Sequence, residues 1–153
     1  MAEYIHNRRD FIDLIRVLND ETRIELGLIE KDYWIMHVLY GLKKQDYKFQ
    51  LKGGTSLSKA FGIIDRFSED IDIHIDPPAD LEINKNPNNS NEKNIQKKKE
   101  FYDRLAEEIK IDGIVNVVRD TDFDDPRKYN SGGIRLFYES RTRPVAGLKE
   151  GIL

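Results

Sequence analysis

Asp70 and Asp72 stand two residues apart, and Ile71, Ile73 and Ile75 alternate with them and with His74 and Asp76. Period-two alternation is the pattern of a half-buried strand, polar on one face and apolar on the other. Along such a strand the two aspartates share a face with Cα atoms about 6.5–7 Å apart. Both carboxylates can then reach divalent cations that also hold nucleotide phosphates. Hard oxygen donors of this kind imply Mg²⁺ or Mn²⁺. Upstream lies Gly53-Gly54-Thr55-Ser56. A glycine pair permits close backbone approach and positive φ, and a helix beginning at Thr55 or Ser56 would aim its free N–H groups at a phosphate. One of the two hydroxyls serves as helix cap, leaving the other for a phosphate contact, and Lys59 lies one turn further on, where it could neutralise phosphate charge. Each feature has a plainer alternative: a solvated strand face, a ligand-free turn, an exposed helical lysine. Taken together they predict phosphoryl or nucleotidyl transfer.

Three stretches carry a resemblance: IEKDYW from Ile29 to Trp34, LKGGTSLSKAF over 51–61, and RFSEDIDI over 66–73. In this order they resemble the AbiEii/AbiGii toxin family, a branch of the DNA polymerase β-like nucleotidyltransferase superfamily, over at least Ile29 to Ile75. A lone Gly-Gly or Asp-x-Asp would be weak, because each occurs by chance in many loops. The resemblance implies a metal-dependent enzyme moving a nucleoside monophosphate from an NTP to an acceptor hydroxyl, with RNA such as tRNA as acceptor for some relatives. It also implies a cognate antitoxin in a type IV toxin–antitoxin or abortive infection system. Arg66 and Ser68 match the R-x-S-x-D-x-D wording and would lie near the nucleotide; surface pairing with Asp65 or Glu69 is the alternative for Arg66. Lys31, Asp32 and Tyr33 would approach the site with their polar face, or simply pack. His74 reads as a neighbour of the pair rather than a ligand. Fourteen residues separate Thr55 from Asp70, which is long for the wider superfamily and fits one more helical turn. The family pattern places a third carboxylate just after a segment like KEGIL, where this sequence stops. A truncated chain lacking a C-terminal helical region is therefore expected, with Glu139 and Glu150 the only late acids that could substitute.

The elements that must position these residues follow from patterning. One domain over 1–153 is expected, of α/β (α+β) class: a polymerase β-like core with a mixed sheet flanked by helices. N-terminal helices occupy 1–45. Phe11, Ile12, Ile15 and Leu18 mark the first, from Arg9 to Asn19; the second runs from Glu21 to Lys43, broken at Gly27. A unit over 47–76 holds a strand from Tyr47 to Leu51, the glycine turn, a short helix and the carboxylate strand. Asparagine-rich 84–94 reads as a flexible loop, Ile95 to Lys110 as a helix, and Ile114–Val118 and Gly132–Tyr138 as strands. Between these strands Asp120, Asp122, Asp124 and Asp125 read as a solvated acidic loop.

Composition bounds the rest. The chain has no cysteine, a formal charge of −3 and 35% charged residues. Disulfides and thiolate metal sites are excluded, and nothing draws the whole molecule to nucleic acid. RNA contacts would have to come from a local basic set, for which Arg119, Arg127, Lys128, Arg135, Arg141 and Arg143 are the late candidates, against ordinary surface charge. No apolar run of membrane-spanning length and no signal pattern occurs, so a cytoplasmic location is expected. Two other function classes stay open. One is a non-catalytic nucleotide- or RNA-binding module. The other is a small-molecule (aminoglycoside-like) nucleotidyltransferase with the 120–125 acids as its cation-binding acceptor pocket.

Overall fold

The computed structural model describes residues 2–53 and 69–153. The short helix expected after the glycine turn falls outside them. Helix α1 is Phe11–Thr22 and α2 is Leu26–Lys44. The break between them falls at 23–25, not at the expected Gly27. Arg23 takes the left-handed conformation (φ 61°) and its N–H bonds Asn19 O, closing α1. The Asn19 amide then holds Ile24 O at 2.7 Å. Gly27 stays helical, a position where glycine costs only about 1 kcal/mol relative to alanine. A Cβ there would lie 2.6 Å from Val145 Cγ2, so the missing side chain lets the 140–149 segment approach α2.

Helix α2 is buried on most sides. Trp34, Ile35, Val38, Leu39 and Leu42 form one core with Phe101 and Leu105 of α3 (Glu92–Glu108), Leu136 and Ile152. Helix α1 adds a smaller cluster in which Phe11 and Ile15 meet Ile29. Helix α3 begins inside the segment read as a loop, because Asn91 caps it by accepting from the N–H groups of Lys93 and Asn94. Asn94 is buried and exchanges hydrogen bonds with Asn84: its Oδ1 accepts from Asn84 N at 2.8 Å and its Nδ2 donates to Asn84 O at 3.1 Å. Between them Asn84 and Asn86 each accept from the backbone N–H two residues on, at 2.9 Å. These asparagines are turn-formers whose side chains stand in for backbone acceptors.

Strands β1 (Phe49–Lys52) and β2 (Asp72–Ile75) pair antiparallel, as do β3 (Ile114–Asp120) and β4 (Gly133–Tyr138), the latter with a bulge between Ile114 and Asn116. The end of the described chain joins the two hairpins. Ile152 and Leu136 exchange N–H···O bonds at 2.8 Å in each direction, and Leu153 O accepts from Ile71 N at 2.9 Å. The 152–153 segment thus links two two-stranded sheets, β1–β2 and β3–β4. The molecule is an α+β core, with α2 and α3 packed on the apolar sheet residues Ile73, Ile75, Ile134 and Leu136.

The acids of 120–125 depart from the expected solvated loop. Arg119 binds Asp124 Oδ2 at 2.7 Å and Asp103 Oδ1 at 3.0 Å, and Arg135 binds Asp120 Oδ2 at 2.9 Å. Asp125 accepts from the N–H groups of Arg127 and Asn130, which hold its carboxyl below the usual carboxylate range. Sequence patterning missed this because Asp124 finds its partner on β3, in Arg119, and Asp120 on β4, in Arg135. No helix among the described residues is long and apolar enough to cross a membrane.

Candidate functional site

Strand β1 feeds directly into the turn. Its register places Phe49 opposite Ile75, Leu51 opposite Ile73 and Lys52 opposite Asp72, so Gly53 leaves the sheet beside Asp72. Gly53 has φ +60°, a backbone state that costs an L side chain about 1–2 kcal/mol. A Cβ added there would lie 3.1 Å from Asp72 Oδ2 and 3.3 Å from Asp72 Cβ. Conformation and space therefore both select glycine, and the turn and the carboxylate occupy one place. Gly54, Thr55, Ser56, Lys59, Arg66 and Ser68 lie outside the described residues.

The carboxylate strand is shorter than expected, running Asp72–Ile75 rather than from Asp70 to Asp76. The alternation persists: Asp72 and His74 are exposed, while Ile71, Ile73 and Ile75 are half-buried. Asp70 precedes the strand in a bend and is half-buried, with Leu153 N–H 3.4 Å from its Oδ1. The pair is thus asymmetric, one acid on a regular strand and the other set by a distant segment. His74 shares the exposed face, with Nε2 3.8 Å from Asp76 Oδ1. Among the described residues no group of three or more His, Asp or Glu converges to hold a metal ion. Asp70 and Asp72 still offer the hard oxygen donors that Mg²⁺ or Mn²⁺ prefers, and the vacant Cβ position at Gly53 leaves the Asp72 carboxylate unobstructed. Glu139 and Glu150 are both exposed; β4 ends one residue before the first.

The least expected residues are Glu30 and Lys31, each 1% exposed. Glu30 accepts from Ser140 Oγ at 2.8 Å, Arg141 N at 2.8 Å and Thr142 Oγ1 at 2.7 Å. Lys31 donates to Lys149 O at 3.1 Å. Burial pushes its ammonium pKa down, and the carboxylates of Asp70 and then Glu69 pull it back. The available signal was charge inside an apolar helical run, Ile29 to Leu42, where packing was the plainer of the two readings for Lys31. Tyr33, also half-buried, donates to or accepts from His6 Nδ1 at 2.7 Å and so belongs to the contact that seats the N-terminal arm.

A cavity of about 590 Å³ opens beneath the sheet, with Lys52, Asp72, Lys98, Asn130 and Ile152 in its lining. Lys98 is buried and donates to Asn130 Oδ1 at 2.6 Å. Of the late basic set, Arg119 and Arg135 are committed to the ion pairs above, and Arg141 lies over the Phe11 ring at 5.8 Å. Arg127 and Arg143 are exposed and Lys128 is half-buried.

Residues 37–152 match the family model described as nucleotidyl transferase AbiEii toxin, type IV toxin–antitoxin system. No curated protein and no solved structure matches the chain. The matched span contains Gly53, Asp70 and Asp72.

Proposed function

The chain belongs to the AbiEii nucleotidyl transferase toxin family of type IV toxin–antitoxin systems, and from that premise we propose that it moves a nucleoside monophosphate from an NTP to an acceptor hydroxyl on RNA, tRNA being the leading candidate. The carrying observation is the approach of Gly53, at φ +60°, to the Asp72 carboxylate, within a span that the family model covers. This geometry puts the start of the glycine turn and an acid side by side.

In this reading the backbone and hydroxyls of Gly53, Gly54, Thr55 and Ser56 cradle the triphosphate, while Lys59, Arg66 and Ser68 contact its charged oxygens. Asp70 and Asp72 would hold Mg²⁺ or Mn²⁺, which when bound neutralises phosphate charge and stabilises the attacking and leaving oxygens. The acceptor oxygen forms a bond to the α-phosphorus in line as the bond to pyrophosphate breaks and the hydroxyl proton departs. The physiological setting is the cytoplasm, with a cognate antitoxin as partner.

A non-catalytic nucleotide- or RNA-binding module is the second reading, favoured because the described residues bring only two acids to the turn. The aminoglycoside-type alternative loses its support, since Asp120 and Asp124 are paired with Arg135 and Arg119.

The test is transfer of label from each α-labelled NTP to total cellular RNA with Mg²⁺ present. It compares this chain, a C-terminally extended chain, and Asp70→Asn plus Asp72→Asn in each. Label that disappears in the double variant establishes the transferase. No label from any version, with RNA affinity unchanged by Asp70→Asn, moves the assignment to the binding module.

A further inference from the structure

Lys31 heads the fully buried side chains by volume, and packing alone does not account for it. A methionine of similar length would fill the same space without desolvating an ammonium, and replacing buried charge by matched apolar volume is often neutral or stabilising. What the lysine adds is charge and a donor. Its Nζ holds Lys149 O at 3.1 Å. Four residues later Leu153 meets β2's approach from both sides, with its O accepting from Ile71 N and its N–H facing Asp70 Oδ1. Between these contacts Ile152 is fully buried against Leu136. Asp70 and Glu69 are the carboxylates whose charge acts on Lys31, while Arg135 and Lys149 oppose them. Neighbouring Glu30 fixes 140–142, so the start of α2 grips the 140–149 segment at both ends.

We propose that Lys31 is a positioning residue for Asp70: its buried ammonium anchors the 149–153 segment that brackets Asp70 and Ile71. The role in turnover rests on the transferase reading above; the anchoring does not. Lys31 is too deeply buried to touch substrate, so it acts through Asp70. Catalytic geometry is sensitive at this level, where a displacement near 1 Å can cost about a hundredfold in rate.

The experiment compares wild type, Lys31→Met and Lys31→Arg by hydrogen exchange at the Ile71, Ile152 and Val117 amides, by thermal unfolding, and by NTP-dependent label transfer. Lys31→Met is expected to fold with an unchanged or higher midpoint. Its Ile71 amide should exchange about tenfold faster, with Val117 in the other hairpin unchanged. Its kcat should fall about tenfold or more with KM for NTP within about threefold, and Lys31→Arg should restore most of both. Unchanged Ile71 protection in Lys31→Met overturns the proposal, as does failure of that variant to fold, since the lysine would then serve stability alone. Faster exchange with unaltered kcat also overturns it, leaving a clamp with no bearing on Asp70. Absence of transfer by wild type, in a version where all acids are supplied, refutes the transferase reading instead, and exchange still decides the anchoring.

Discussion

The two hairpins share antiparallel pairing and differ in what locks them. In β3–β4 the locks are internal: Arg119 and Asp124, 15% and 7% exposed at the side chain, pair at 2.7 Å, and Arg135 crosses to Asp120. In β1–β2 the outward side chains Gln50, Lys52, Asp72 and His74 are exposed. Among the described residues the ion pairs nearest to them, His74–Asp76 and Lys85–Asp76, join half-exposed groups and count for little in stability. The hairpin that bears the candidate chemistry is thus fixed from outside, by Gly53 at one end and Leu153 at the other. A carboxylate already paired with arginine would have to surrender that partner to bind a cation. The contrast is that β3–β4 spends its charge on internal ion pairs, whereas the exposed Asp72 carboxylate of β2 stands beside the glycine turn.

The strongest way to break this comparison is Ile152→Ala, which empties a fully buried position between the hairpins. A loss of about 4 kcal/mol is expected, read as a midpoint fall of roughly 10 °C; a fall under about 2 °C would mean that the hairpins do not depend on this link. Next comes Arg119→Met, which strands Asp124 and should cost about 3 kcal/mol, while leaving Mn²⁺ binding to the Asp70–Asp72 pair within twofold by titration (roughly 0.4 kcal/mol). Weakened metal binding there would show that the hairpins are coupled rather than divided in role. Gly53→Ala should cost about 1 kcal/mol in urea unfolding because of its φ. Label transfer should fall by more than that loss explains, since the new Cβ presses on the Asp72 carboxylate. The smallest stability effect belongs to Asp72→Asn, within about 0.5 kcal/mol of wild type by the same measurement, together with abolished transfer. A loss above about 2 kcal/mol would reveal a structural aspartate and reverse the assignment of roles.

How much of this was legible depended on sequence separation. The alternation from Ile71 to Ile75 is local, and it identified the strand and its polar face. The αL closure at Arg23 is local too, but arginine gives no warning of it, and Gly27 drew the predicted break four residues too late. Asp70 could not be placed from its neighbours, because its position is set by Leu153, 83 residues away. Lys31 was read as approaching the site or packing, but its partner was not legible: the carbonyl that accepts its hydrogen bond lies 118 residues on. The asparagine stretch looked like a mobile loop because composition cannot reveal that Asn84 and Asn94 face one another. The family words over 51–61 and 66–73 fall within the matched span 37–152 and carried the family, whereas IEKDYW lies before it; Gly54 to Ser68 lie outside the described residues.

The link through Ile152 and Leu153 also has a consequence in time. During synthesis β1 and β2 leave the ribosome long before residue 152, so the bracket around Asp70 cannot close until residues 152 and 153 have followed. Closing it brings together residues 83 positions apart, and such non-local contacts form slowly. A nascent chain would therefore present the glycine turn and Asp72 while Asp70 is still unset, and competence would arrive late and abruptly.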